Sequence, residues 1–224
     1  MNMMHKALRA VALGVAYVTV SASAASAQAW IYPSFQQPTV TGREYNFSLA
    51  DGDAGGTSLL FQWREGYGAS GQLGLDVGYA DADVFDGVFF FGGQYGHQLI
   101  RSSASTPIDL MLTVGANAGF GDDFRLFRVP VGASIGRRFP LEGGLAITPY
   151  VHPRVTMDVV SIPDRTINGF EIEGQSESEM NVNFDLGGSF EFSRQLAIRL
   201  SATLGEDEAF GISLAYSPLR GRSR

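Results

Sequence analysis

From Pro107 to Phe120 the chain reads PIDLMLTVGANAGF. Ile108, Leu110, Leu112, Val114, Ala116, Ala118 and Phe120 are apolar, and Asp109, Met111, Thr113, Gly115, Asn117 and Gly119 alternate with them. A period of two sends these sets to opposite faces of a β-strand. The second face is small and polar, without the Lys and Glu that a water-facing strand usually carries. Apolar outside and polar inside is the pattern of a transmembrane β-barrel. A soluble sandwich strand with an apolar inner face would alternate in the same way, so repetition along the chain has to decide.

The alternation returns in ten segments, at about 43–49, 57–65, 73–79, 88–99, 107–120, 124–139, 145–157, 180–192, 198–204 and 210–216. Their polar faces hold Glu44, Arg64, Asp76, Asp109, Arg128, Arg138, His152, Arg154, Asp185, Glu191 and Arg199. A soluble core would not hold so many charges, because each is costly to bury without a partner. The expected fold is all-β: a transmembrane antiparallel up-and-down barrel of about ten strands, with eight as the alternative.

Upstream of the barrel, His5, Lys6 and Arg9 precede an apolar run from Ala10 to Val20 and a small-residue stretch ending Ala25-Ser26-Ala27. This order matches a cleaved export signal, and the apolar run is too short to span a bilayer as a helix. The expected organisation is a signal peptide at 1–27, a periplasmic lead-in at 28–41, a barrel at 42–216 and a basic periplasmic tail at 217–224. The lead-in carries Pro33, Pro38 and three aromatics, and docking into the barrel mouth is its alternative placement.

Charge follows the strand numbering. The odd-to-even connections collect Asp51, Asp53, Asp81, Asp83, Asp86, Asp122, Asp123, Glu206, Asp207 and Glu208. The longest connection adds Asp158, Asp164, Glu171, Glu173, Glu177 and Glu179. The other side carries Arg43, Arg101, Arg137, Arg194 and the tail arginines. An even strand number puts both chain ends on the periplasmic side and the acidic loops outside the cell. The net charge of −7 argues against a nucleic-acid partner, and the absence of Cys removes thiol and disulfide chemistry. Asn168-Gly169 suits a two-residue hairpin turn. Pairing outward from it sets Ile167 against Phe170, Met157 against Met180 and His152 against Asp185, with a bulge or break at Pro163.

The last segment, FGISLAY at 210–216, resembles the C-terminal strand read by the barrel-assembly machinery. With the alternation and the export signal, it makes the stretch from Gly42 to Tyr216 similar to the small bacterial outer-membrane β-barrel superfamily. The chain departs from that pattern by continuing with SPLRGRSR. The resemblance implies a location in a Gram-negative outer membrane, partners in membrane lipid and lipopolysaccharide, insertion by the assembly machinery, and a monomer.

Some barrels of this superfamily are proteases or lipid A-modifying enzymes. The protease pattern needs an Asp-x-His pair, which the sequence lacks; His152-Pro153-Arg154 does not match the His-x-Ser of the lipid A deacylases. The expectation is therefore no enzyme, no cofactor and no metal. The candidate site is a polar lumen network of His152, Arg154, Asp185, Glu44, Arg64, Glu191 and Arg199, with Glu44 level with Arg64 and Glu191 close to Arg199. Two functions fit it: a closed structural or adhesin-like scaffold with acidic extracellular loops, or a narrow porin-like channel for small solutes. Large inward side chains favour closure, since a barrel of about ten strands is near the width that side chains fill.

Overall fold

A computed structural model describes residues 32–52, 56–82, 85–121, 125–163, 165–167, 170–172, 174–205 and 208–218. The export segment, Asn168-Gly169, the tail arginines and half of the loop acids lie outside the described residues. The strands are β1 (Arg43–Gly52), β2 (Gly56–Tyr67), β3 (Gly71–Ala82), β4 (Phe85–Ile100), β5 (Asp109–Phe120), β6 (Arg125–Gly136), β7 (Phe139–Pro140), β8 (Ala146–Ile162), β9 (Arg165–Ile167), β10 (Phe170–Ile172), β11 (Gln175–Glu191), β12 (Leu196–Gly205) and β13 (Ala209–Tyr216). Ten of these pair in sequence as antiparallel neighbours, β1 with β13 and β8 with β11 completing the ring. The chain is a closed ten-stranded β-barrel. The short β7 joins the rim beside β8, and β9 pairs only with β10.

Alternation decides which side chains go where. Leu59 is 61 % exposed and Phe47 59 %, while Asp185 is 0 % and Arg199 1 % exposed. This inverts the order of a water-soluble protein. A surface of exposed Phe, Leu, Val and Tyr on nearly every strand belongs in hydrocarbon, and closure leaves no unpaired strand edge there. Among the described residues no helix is long and apolar enough to cross a membrane. That says nothing of crossing by strands.

The longest hairpin keeps one register throughout. Ile167 faces Phe170, Met157 faces Met180 and His152 faces Asp185, the pairing expected from the sequence. The ladder breaks between Ile162 and Arg165, at Pro163, which has no amide hydrogen to give. Elsewhere β4 slips register beside Ala80–Ala82 and again at Gln98–Ile100.

The lumen has two zones. Toward the end opposite Arg43, Leu60, Ala80, Val88, Phe90, Leu126 and Val160 form a buried apolar cap. The Phe89-Phe90-Phe91 run forces one ring inward, because consecutive strand residues alternate. Below the cap the lining is mostly polar down to the mouth at Arg43, with Met111, Ala146, Ala197 and Ala215 among it. Asp158, read from the sequence as a loop acid, is instead part of that lining, because β8 continues to Ile162.

Candidate functional site

Strand geometry points Glu44 of β1, Arg64 of β2, His152 and Arg154 of β8, Asp185 of β11 and Arg199 of β12 into the lumen, all buried. Buried charges persist only when paired and hydrogen-bonded. Around Asp185, Arg154 Nε stands 3.0 Å from Oδ2 and Arg154 Nη2 donates to Oδ1 at 3.3 Å. Thr203 Oγ1 donates to the same Oδ1 at 2.6 Å. His152 Nδ1 lies 3.4 Å from Asp185 Oδ2, and its Nε2 is 3.0 Å from Thr113 Oγ1. The approaches of Arg154 Nε and His152 Nδ1 to Oδ2 lie off the line of an aligned hydrogen bond. Gly132 makes room for the imidazole, since a Cβ there would come within 2.7 Å of His152 Nε2.

A second cluster surrounds Glu44. Arg199 donates to its two oxygens at 2.7 and 2.6 Å, and Asn46 adds a third bond at 3.0 Å. Arg64 lies opposite Glu44 in the ladder, with Nη1 3.6 Å from Oε1. A third cluster was not singled out as a site from the sequence: Arg128 grips Asp158 at 2.7 and 2.6 Å, and Asn181 donates to Asp158 at 3.1 Å.

Glu191 does not join Arg199. Arg199 stands opposite Ser189, whereas Glu191 lies two residues nearer the rim, opposite Ala197. There Arg138, just beyond β6, holds Glu191 bidentately with contacts of 3.0 and 2.6 Å, both partners partly in solvent. The sequence set Arg138 on the lumen face; the structure sets it at the mouth.

The main occupant of the lumen is the chain's own segment 32–41, expected as a periplasmic lead-in. It runs inside the barrel, which corrects that placement and goes deeper than docking at the mouth. Phe35 is 1 % exposed, and Pro33, Gln36, Gln37 and Pro38 are buried. Wall side chains donate to its carbonyls: Arg154 to Tyr32 at 3.3 Å, Tyr150 and Ser201 to Ser34 at 3.0 and 2.8 Å, Arg64 to Phe35 at 3.0 Å and Ser134 to Gln36 at 2.7 Å. Gln98 and Gln72 accept from the amides of Val40 and Thr41 at 3.4 and 2.9 Å. Tyr32 donates to Asp76 at 3.3 Å and stacks on Phe90 of the apolar cap at 5.7 Å. At Gly211 a Cβ would meet Phe35 at 2.8 Å and Pro33 at 3.1 Å, so a side chain at that wall position would push the segment aside.

No protein-family model matches the sequence, and neither does any curated protein. The fold is similar to outer-membrane β-barrels. The KdgM porin aligns at a TM-score of 0.41 and 10 % identity, covering 78 % of this chain and 99 % of its own. The β domain of the Bordetella autotransporter BrkA aligns at 0.40 and 13 %, covering 79 % and 98 %. Ail, the attachment invasion locus protein of Yersinia pestis, aligns at 0.27 and 11 %, covering 78 % and 97 %. At such identities these are resemblances of form.

Thr113, His152 and Asp185 stand in the order of a hydroxyl–imidazole–carboxylate relay. Thr113 and His152, but not Asp185, line a cavity of about 50 Å³ together with Tyr32, Arg64, Arg128 and Arg154. That is room for a few waters at most. With Asp185 held by Arg154 and Thr203, the geometry fixes strand register and side-chain position. Among the described residues no group of three His, Cys, Asp or Glu converges on a point that could hold a metal ion.

Proposed function

We propose that this protein is an integral bacterial outer-membrane β-barrel that works as a closed scaffold, stoppered by its own residues 32–41. The observation that carries the reading is the burial of that segment along the polar lumen, beneath an apolar cap. Apolar constrictions exclude water and ions, and a filled lumen leaves no conducting path. The apolar outer surface supports placement in a membrane, and lipid is then the partner of most outward side chains.

In this orientation the mouth at Arg43 faces the periplasm, and the connections carrying Asp51, Asp81 and Glu208 face the exterior, with the ribbon that bears Glu177 and Glu179. An acidic outward surface on a rigid closed barrel suits a structural or adhesin-like role, contacting cations or basic partners through its loops. The test is single-channel recording on the purified protein in planar bilayers. Long silent traces at moderate voltage support the scaffold. A steady ohmic current favours the alternative, a narrow channel for small solutes.

A further inference from the structure

Residues 32–41 read YPSFQQPTVT and carry no charge. The lumen holds them mostly by main-chain groups: four carbonyls, from Tyr32, Ser34, Phe35 and Gln36, and two amides, from Val40 and Thr41. The exceptions are the Tyr32 hydroxyl, the Thr41 hydroxyl, the Gln36 amide and the buried Phe35 ring. Such a lining reads a peptide backbone with two aromatic anchors, the buried Phe35 ring and the Tyr32 ring stacked on Phe90, as a peptide-binding groove does.

The ion pairs of the wall do not need the segment; only Asp76, a buried carboxylate without an ion pair among the described residues, takes one of its two bonds from it, through the Tyr32 hydroxyl. Arg199 is neutralised by Glu44, Arg128 by Asp158 and Arg154 by Asp185, all within the barrel. Arg64, which also bonds Phe35 O, keeps Glu44 at 3.6 Å and Gln62 at 3.3 Å. Withdrawal of the segment therefore breaks no ion pair, the costliest outcome of emptying a lumen, and leaves Asp76 its bond from Gln62 at 3.0 Å. Pro33 and Pro38 restrict the free segment toward extended forms, which lowers the ordering cost of going back in. Clefts of about 440 and 320 Å³ flank Thr39, Thr41 and Gly42 at the mouth, leaving space for the segment to turn outward.

We infer that the lumen is a peptide-binding site opening to the Arg43 mouth, with residues 32–41 as its exchangeable resident ligand. The same groove takes in trans an uncharged peptide bearing two aromatic residues spaced as Tyr32 and Phe35 are. This inference rests on the stoppered-barrel reading.

The test uses the full chain in planar bilayers, with Phe35→Ala to weaken the resident segment while leaving the wall intact. Gln36→Ala serves as a second variant should the first fail to fold, folding being checked by heat-modifiable migration on a gel. Both variants are expected to open and close where the native chain is silent. The synthetic peptide YPSFQQPTVT, added on the side of the Arg43 mouth, is expected to block that current. The same peptide with Ala for its Phe should block about tenfold more weakly, as loss of a buried aromatic anchor implies. Block from the opposite side alone, or equal block by both peptides, overturns the inference. Silent, folded variants overturn it too, because the segment is then a fixed part of the core. A native chain that conducts steadily removes the stoppered-barrel reading itself, a result distinct from these.

Discussion

Arg199 of β12 reaches over β13 to grip Glu44 of β1 with two hydrogen bonds, of 2.7 and 2.6 Å. β13 lies between those strands and turns only Ser213 and Ala215 inward there, so nothing blocks the guanidinium. The pair ties three strands across the seam where the first and last strands of the barrel meet. A planar fork on a carboxylate is the strongest geometry available to an ion pair. Removing one partner leaves the other buried and uncompensated. Glu44→Ala is therefore expected to destabilise the barrel by roughly 3–5 kcal/mol in detergent unfolding experiments. A loss below ~1 kcal/mol would show that Arg199 finds water instead.

Glu191 provides the contrast. It pairs with Arg138 at the rim, where the two side chains are 22 % and 47 % exposed. Exposed pairs contribute about 0–1 kcal/mol. Glu191→Ala should leave the unfolding midpoint nearly unchanged, and raising the salt should abolish what difference remains. A cost equal to that of Glu44→Ala would contradict the assignment of Glu191 to the rim.

Asp185 collects Arg154, Thr203 and the His152 ring at 0 % exposure. Asp185→Leu fits the space poorly and strands Arg154. The expected loss is again roughly 3–5 kcal/mol, seen as failure to keep the compact gel form at room temperature. A variant as stable as the native chain would mean that Asp185 meets water or lipid.

Tyr150 lies across Gly187, its partner in the β8–β11 ladder. A Cβ at Gly187 would overlap the Tyr150 ring, whose hydroxyl donates to Ser34 of the stopper. Gly187→Ala should push that ring aside, costing about 1–3 kcal/mol from overpacking. It should also loosen the stopper, read as brief openings in bilayer recordings. Unchanged stability with silent traces would show that the ring has another place to go.

The strand faces were legible in the sequence because alternation is a local rule, and β5 shows it in nearly every residue. The β8–β11 register was legible because one Asn-Gly step fixes every pair out to Glu191 and Ala146. The Glu44–Arg199 pair was not, because it spans a strand rather than a ladder, and ladder reasoning directed Arg199 toward Glu191. The stopper was hidden for another reason. Residues 32–41 bind mostly through backbone groups, which leave no side-chain pattern to read. The apolar cap did leave a signal, in three consecutive Phe residues that a single outward face cannot hold.

The chain has no Cys, so a single introduced thiol can report on the stopper without background. Gln37 is 6 % exposed inside the mouth and uses no side-chain bond to the wall, whereas Ala104 is exposed in the β4–β5 connection. A water-soluble maleimide on the folded barrel should label Gln37→Cys roughly a hundredfold more slowly than Ala104→Cys, the factor set by an opening cost of about 2.7 kcal/mol. In denaturant the two rates should converge. Equal rates in the folded protein would place residues 32–41 outside the lumen and contradict the stoppered barrel.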